Sequence, residues 1–246
     1  MYAVALAQDW QHWASQLAPP GRPPSRVLVL GCALVALAAV LSRRIWPVSR
    51  TVVTLAHEGG HALVALLAGR RLDGVRIMRN TAGLTVSAGS AAGMGLILTT
   101  AAGYTAPPLL GLGAAALLAT GHLTAMLALT LAGLAGLAFM IRNAYGLLAV
   151  IVAGAAVALV IWRGSTLAES VFGYLAAWFL LLGGVRPVAE LQRSRRTRRR
   201  QVTDADQLAR LTGTPGWLWV GVFGLVALAA LAVGALWLVP LGGLPL

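Results

Sequence analysis

Carboxylates are scarce in this chain: four aspartates and three glutamates serve 246 residues. There is one cysteine, and every one of the 19 basic residues is an arginine. Charged residues make up 11% of the sequence, against about 25% in a soluble domain. Each shortage excludes something. Cys32 alone rules out an internal disulfide and a thiolate zinc cluster, and its place in an apolar run gives it a packing role. The lack of charge, with a mean hydropathy of +0.81, rules out a soluble globular domain, a disordered chain and a secreted disulfide scaffold. No internal repeat and no soluble domain of useful size is found. The few acids also make any polar site easy to enumerate.

What the chain has is apolar sequence, 59% of it, in runs near the roughly 20 residues that one membrane-spanning helix needs. The sequence therefore predicts an all-α polytopic membrane protein of 6–7 transmembrane helices with a short β-hairpin. Residues 1–25 read as an interfacial segment, with Trp10, Trp13 and Leu17 at helical spacing before the Pro19–Pro20 and Pro23–Pro24 pairs. No basic residue precedes their apolar stretch, which argues against a signal peptide. Residues 26–246 read as one transmembrane domain, with spans near 26–42, 51–69, 91–119, 122–140, 144–162, 167–185 and 216–239. The stretch 91–119 holds Pro107–Pro108 and reads as one kinked helix, or as a re-entrant segment plus a short span.

Residues 70–90 break the helical pattern. Val75 to Arg79, a turn over Asn80 to Gly83, and Leu84 to Ser87 predict a hairpin. Residues 186–212 form the most polar stretch, a basic loop followed by a short helix. The net charge of +12 sits mostly between apolar runs, where arginine sets membrane orientation and meets anionic lipid; this excludes nucleic acid as the partner. Placing the loop inside and alternating seven spans predicts a cytoplasmic N-terminus as well.

Chemistry concentrates at His57-Glu58-Gly59-Gly60-His61. Residues four apart share one helix face, so both imidazoles can reach one zinc ion, and Glu58 stands where it can take a proton from a zinc-activated water. Ionisable groups inside an apolar span are costly, which favours a metal site over a structural polar cluster. Gly59 and Gly60 would leave room beside the metal. A hydrolytic zinc needs a third protein ligand and one open position. Asp9 and His12 lie outside the predicted core, Asp73 heads the hairpin, and His122 and Glu169 begin spans on the far side. Glu190 lies just beyond the sixth span and could reach inward. Thr203 and Asp206 have the spacing of a helix N-cap pair, which leaves Asp204 as the preferred ligand and Asp206 as the alternative. Asn143 either donates to a developing oxyanion or caps the fifth span.

The run Thr54 to Leu63, with Gly69-Arg70-Arg71 and Gly83-Leu84-Thr85, resembles the bacterial branch of site-2 protease-like intramembrane zinc peptidases. The resemblance continues in Ala102-Gly103-Tyr104 with Pro107, in Arg142-Asn143 with Gly146, and in Thr203 to Thr212 with Pro215 and Trp219. It implies a Zn2+ enzyme of the bacterial cytoplasmic membrane that hydrolyses peptide bonds of membrane-protein or peptide substrates. His57 and His61 would then be ligands and Glu58 the residue that activates water. The chain departs from the family in having two glycines inside the motif and no Asn-Pro-containing Leu-Asp-Gly segment for the third ligand. It also shows no PDZ-like domain. The competing readings are a catalytically silent membrane scaffold and a metal-handling membrane protein.

Overall fold

The computed structural model describes residues 24–196 and 202–239. Eight helices and one hairpin lie among them: α1 (Arg26–Leu41), α2 (Trp46–Leu67), β1 (Arg71–Ile77), β2 (Gly83–Ala88), α3 (Met94–Ala119), α4 (Leu123–Met140), α5 (Ala144–Arg163), α6 (Thr166–Arg196), α7 (Asp204–Thr212) and α8 (Gly216–Leu238). Five of the helices are long and apolar enough to cross a membrane, or six spans if the bent α1–α2 pair counts as one. The chain is an integral membrane protein. The interfacial segment predicted over 1–25 lies almost wholly outside the described residues, as do Arg198, Arg199 and Arg200.

Seven separate spans are more than this structure provides. The 16 residues of α1 reach about 24 Å at 1.5 Å per residue, short of a hydrocarbon layer about 30 Å thick. α1 then turns through 103° into α2 instead of reversing. Arg186 fixes this corner: its guanidinium donates to the Val40 carbonyl at the end of α1 and lies 4.6 Å over the Trp46 ring. Glu190 completes the cluster, accepting from Trp46 Nε1 at 2.9 Å and Arg186 Nε at 3.0 Å, with Arg50 at 3.3 Å. If α1–α2 is one span, residues 24 and 196 face opposite sides. The placement of the N-terminus beside the basic loop, which rested on seven spans, then loses its basis.

α3 runs as one helix through Pro107 and Pro108. Its 26 residues measure about 39 Å, long enough to cross the layer without a re-entrant break. A Cβ at Gly184 of α6 would sit 2.8 Å from Pro108 Cδ, so glycine there permits the close approach of α6 to α3. α6 also continues eleven residues beyond the span predicted over 167–185, to Arg196. Its added turns keep a buried face, Val188 and Leu191, which packs on Leu208 and Phe223. α4 and α5 expose Leu129, Phe139, Ile151 and Trp162, the pattern of helices bathed in lipid.

The hairpin is larger than predicted, and β1 buries one face of it in the core. β1 begins at Arg71, with a bulge between Leu72 and Gly74, so Asp73 lies within a strand rather than ahead of one. Arg79 falls in the turn, where the Met78 N–H bonds the Ala82 carbonyl at 2.8 Å. Val75 and Ile77 are fully buried against Leu55, Ala62, Leu137, Ile141 and Val150. β1 is paired on both edges: β2 on one, residues 141–143 on the other, where the Arg142 N–H bonds the Val75 carbonyl at 2.8 Å.

Candidate metal centre

His57 and His61 project from the same face of α2 toward the first residue of α7. Asp204 Oδ2 lies 3.3 Å from each Nε2, and the two Nε2 atoms are 3.1 Å apart. Donors on a tetrahedral zinc at about 2.0–2.1 Å stand about 3.3 Å from one another. The three edges of this triangle therefore match a tetrahedral face, and the residues fit the metal that the sequence motif implies. All three ligand atoms lie within 4.8 Å of one another.

Two contacts shape the cluster. The His61 Nδ1–H donates to the Thr99 carbonyl at 2.7 Å, which leaves the Nε2 lone pair able to bind a metal. Gly103 lies directly beneath both imidazoles. A Cβ there would stand 2.6 Å from His57 Nε2 and collide with the His61 ring. The room beside the metal therefore comes from Gly103, not from the two glycines of the motif. Gly60 serves the packing of α2 on α3, its missing Cβ lying 3.0 Å from the Ala102 carbonyl, and Gly59 has only ordinary contact with Leu137 at 3.9 Å.

Glu58 is 4% exposed and its Oε1 stands 4.0 Å from His57 Nε2. Its other oxygen accepts from Thr85 Oγ1 at 2.6 Å, so β2 holds the carboxylate. Gly83 of β2 crowds the same side chain, and a Cβ at that position would overlap it. Thr54, one turn before the motif, donates to the Thr81 carbonyl at 3.0 Å and ties α2 to the hairpin turn.

The other acids are engaged elsewhere. Asp206 forms a capping box with Thr203, as its spacing predicts, and pairs with Arg195. Burial pushes its carboxyl up, but these bonds hold it below the ordinary range. Glu190 belongs to the α1–α2 corner, and Asp73 pairs with Arg71 at 3.5 Å. Glu169 lies in the first turn of α6, and His122 bonds Thr120 at 3.0 Å. Asp9 and His12 fall outside the described residues. Asn143 occupies the N-cap position of α5 without a capping bond. Both ends of its amide instead hold the Ile77 backbone, Oδ1 accepting at 3.1 Å and Nδ2 donating at 2.7 Å. The amide therefore anchors β1, a role that the sequence did not suggest.

Sequence reasoning missed Thr85, Thr99, Gly103 and Tyr104 as parts of this centre. Thr85 carried a signal, since it precedes Val86 in an alternating strand and so faces the side opposite that residue. Thr99 acts through a backbone carbonyl, which no side-chain pattern marks.

Fold and cluster together define a membrane-embedded protein with a possible metal centre beside a buried glutamate. A model of the Peptidase M50B-like family matches residues 30–234, and the chain belongs to that site-2 protease-like family, whose members are typically membrane metallopeptidases. No curated protein and no solved structure matches the chain.

Proposed function

We propose that this chain is an intramembrane zinc metallopeptidase of the bacterial cytoplasmic membrane, cutting membrane-protein or peptide substrates. The observation that carries this reading is the convergence of His57, His61 and Asp204 at 3.1–3.3 Å, with Glu58 buried alongside. His57, His61 and Asp204 would hold Zn2+, which supplies Lewis-acid polarisation of water and of the scissile carbonyl. Glu58 takes a proton from the attacking water and returns it to the leaving amine. The Thr85 hydroxyl occupies Oε2, leaving Oε1 on the His57 side for that transfer.

A peptide bond inside a helix is shielded by its own hydrogen bonds, so the substrate must be extended at the cut. β2 offers the edge for it. Its ladder leaves the N–H and C=O groups of Gly83 and Thr85 pointing away from β1, and no backbone group among the described residues pairs with them. A substrate strand on that edge runs beside Glu58, with main-chain bonds supplying the binding.

The test is Glu58→Gln in purified, membrane-reconstituted protein. Zinc content and fold should match the native chain while cleavage disappears, because an amide cannot accept the proton. His57→Ala and His61→Ala should each lower zinc stoichiometry sharply. Native zinc content in both histidine variants defeats the metal centre. Zinc bound with no cleavage of any membrane-protein substrate favours the silent scaffold.

A further inference from the structure

The two histidines are held differently. His61 is oriented by the hydrogen bond from Nδ1 to the Thr99 carbonyl, whereas His57 Nδ1 has no hydrogen-bond partner among the described residues. A ligand imidazole without such a bond is free to rotate unless packing stops it. Two rings meet His57 edge to face: its fellow ligand candidate His61, with centroids 4.7 Å apart and planes at 84°, and from α3 Tyr104, at 4.8 Å and 87°. Tyr104 is itself stacked on Phe223 at 5.0 Å and 18°. Phe223 is fully buried among Ala205 and Leu208 of α7, the helix whose first residue is Asp204.

We propose that Tyr104 is a positioning residue of the metal centre, its ring acting as the wedge that sets His57 against Asp204. The inference rests on the metal-centre reading above. α3 supplies one backbone position after another for this purpose. Gly103 lets the helix pass close beneath both imidazoles, and Tyr104, the next residue, stands along the edge of one of them. The ring then hands the constraint to Phe223, so the same aromatic pair fixes a ligand on α2 and the core of the ligand-bearing α7. Rings in edge-to-face and stacked arrangements resist rotation because their quadrupoles favour those geometries. Tyr104 also lines a cavity with Arg50 and Glu190; the ring performs this function, and the hydroxyl does not.

Zinc affinity, measured by chelator competition on the full chain in lipid nanodiscs, reads the inference directly, and the visible absorption of the Co2+-loaded protein reads ligand geometry. Tyr104→Leu should weaken zinc about ten- to hundredfold, the range for loss of a group that orients a ligand, and should shift the Co2+ bands. Tyr104→Phe should restore both to native values. Phe223→Leu, which removes the ring behind Tyr104, should move both readouts in the same direction by less, and it carries the comparison if Tyr104→Leu does not fold. Native affinity and an unchanged Co2+ spectrum in Tyr104→Leu would overturn the proposal. So would a Tyr104→Phe variant as weak as Tyr104→Leu, since the hydroxyl would then be the acting group. A native chain that binds no zinc fails one step earlier, at the metal centre itself.

Discussion

Thr85 Oγ1 donates a 2.6 Å hydrogen bond to Glu58 Oε2, joining the hairpin to the motif helix across 27 residues of sequence. One hydroxyl thereby fixes which carboxylate oxygen faces His57. A hydrogen bond to a charged group contributes about 1.5–3 kcal/mol. Thr85→Val keeps the side-chain shape and removes the donor, so kcat/KM should fall about ten- to hundredfold. Zinc content should stay native, and Thr85→Ser should recover most of the rate. Cleavage kinetics beside metal analysis decide it, and a Thr85→Val variant with native kcat/KM would show that Glu58 needs no such support.

Gly103 lets α3 pass close to both imidazoles, because a Cβ at that position would lie 2.6 Å from His57 Nε2. That distance is below any van der Waals contact, and α3 is pinned by its packing on α6 and α8. Gly103→Ala should therefore push the imidazoles apart and lower zinc stoichiometry while the helices stay folded. Gly113, on the same helix with nothing near its missing Cβ, is the control: Gly113→Ala should bind zinc normally. Equal zinc in the two variants would mean that the helix yields.

The membrane class was legible because an apolar run of span length has few other uses, and the motif because two histidines four apart share a helix face. The α1–α2 bend was not. It is made by Arg186 bonding Val40 across 146 residues and by a cluster that joins Trp46, Arg50 and Glu190, and hydropathy does not register such pairings. Asp204 stood out through the capping geometry of its neighbour, since the Thr203–Asp206 pair is local. The anchoring of Ile77 by Asn143 left no local trace because the two lie 66 residues apart. Local periodicity names elements and caps; long-range polar contacts, which set how the elements meet, leave little local trace.

Asp204 and Asp206 are two residues apart yet point to different partners, the first to both histidines and the second to Thr203 and Arg195. Their alanine variants should separate accordingly. Asp204→Ala should weaken zinc binding. Asp206→Ala should leave zinc in place and loosen the start of α7, at a cost of about 1 kcal/mol for a lost cap partner. Chelator competition and thermal unfolding, run on both variants, give the two readouts. A larger zinc loss in Asp206→Ala than in Asp204→Ala would reverse the assignment.

Asn143 clamps the outer edge of β1, both ends of its amide bonding the Ile77 backbone at 3.1 and 2.7 Å. Ile77 is fully buried, so Asn143→Leu leaves an N–H and a carbonyl without partners inside the protein. Each such group costs about 1–3 kcal/mol, so the two predict a loss of roughly 2–6 kcal/mol, concentrated in the hairpin. Amide exchange should show it first at Ile77 and at Arg142, whose N–H bonds Val75 beside it. The rate should fall as a consequence, because β2 carries the Thr85 that holds Glu58. An oxyanion donor behaves otherwise: its loss lowers kcat and leaves exchange and stability unchanged. Asn143→Leu with native hairpin protection and a reduced kcat would therefore transfer Asn143 from anchoring to catalysis.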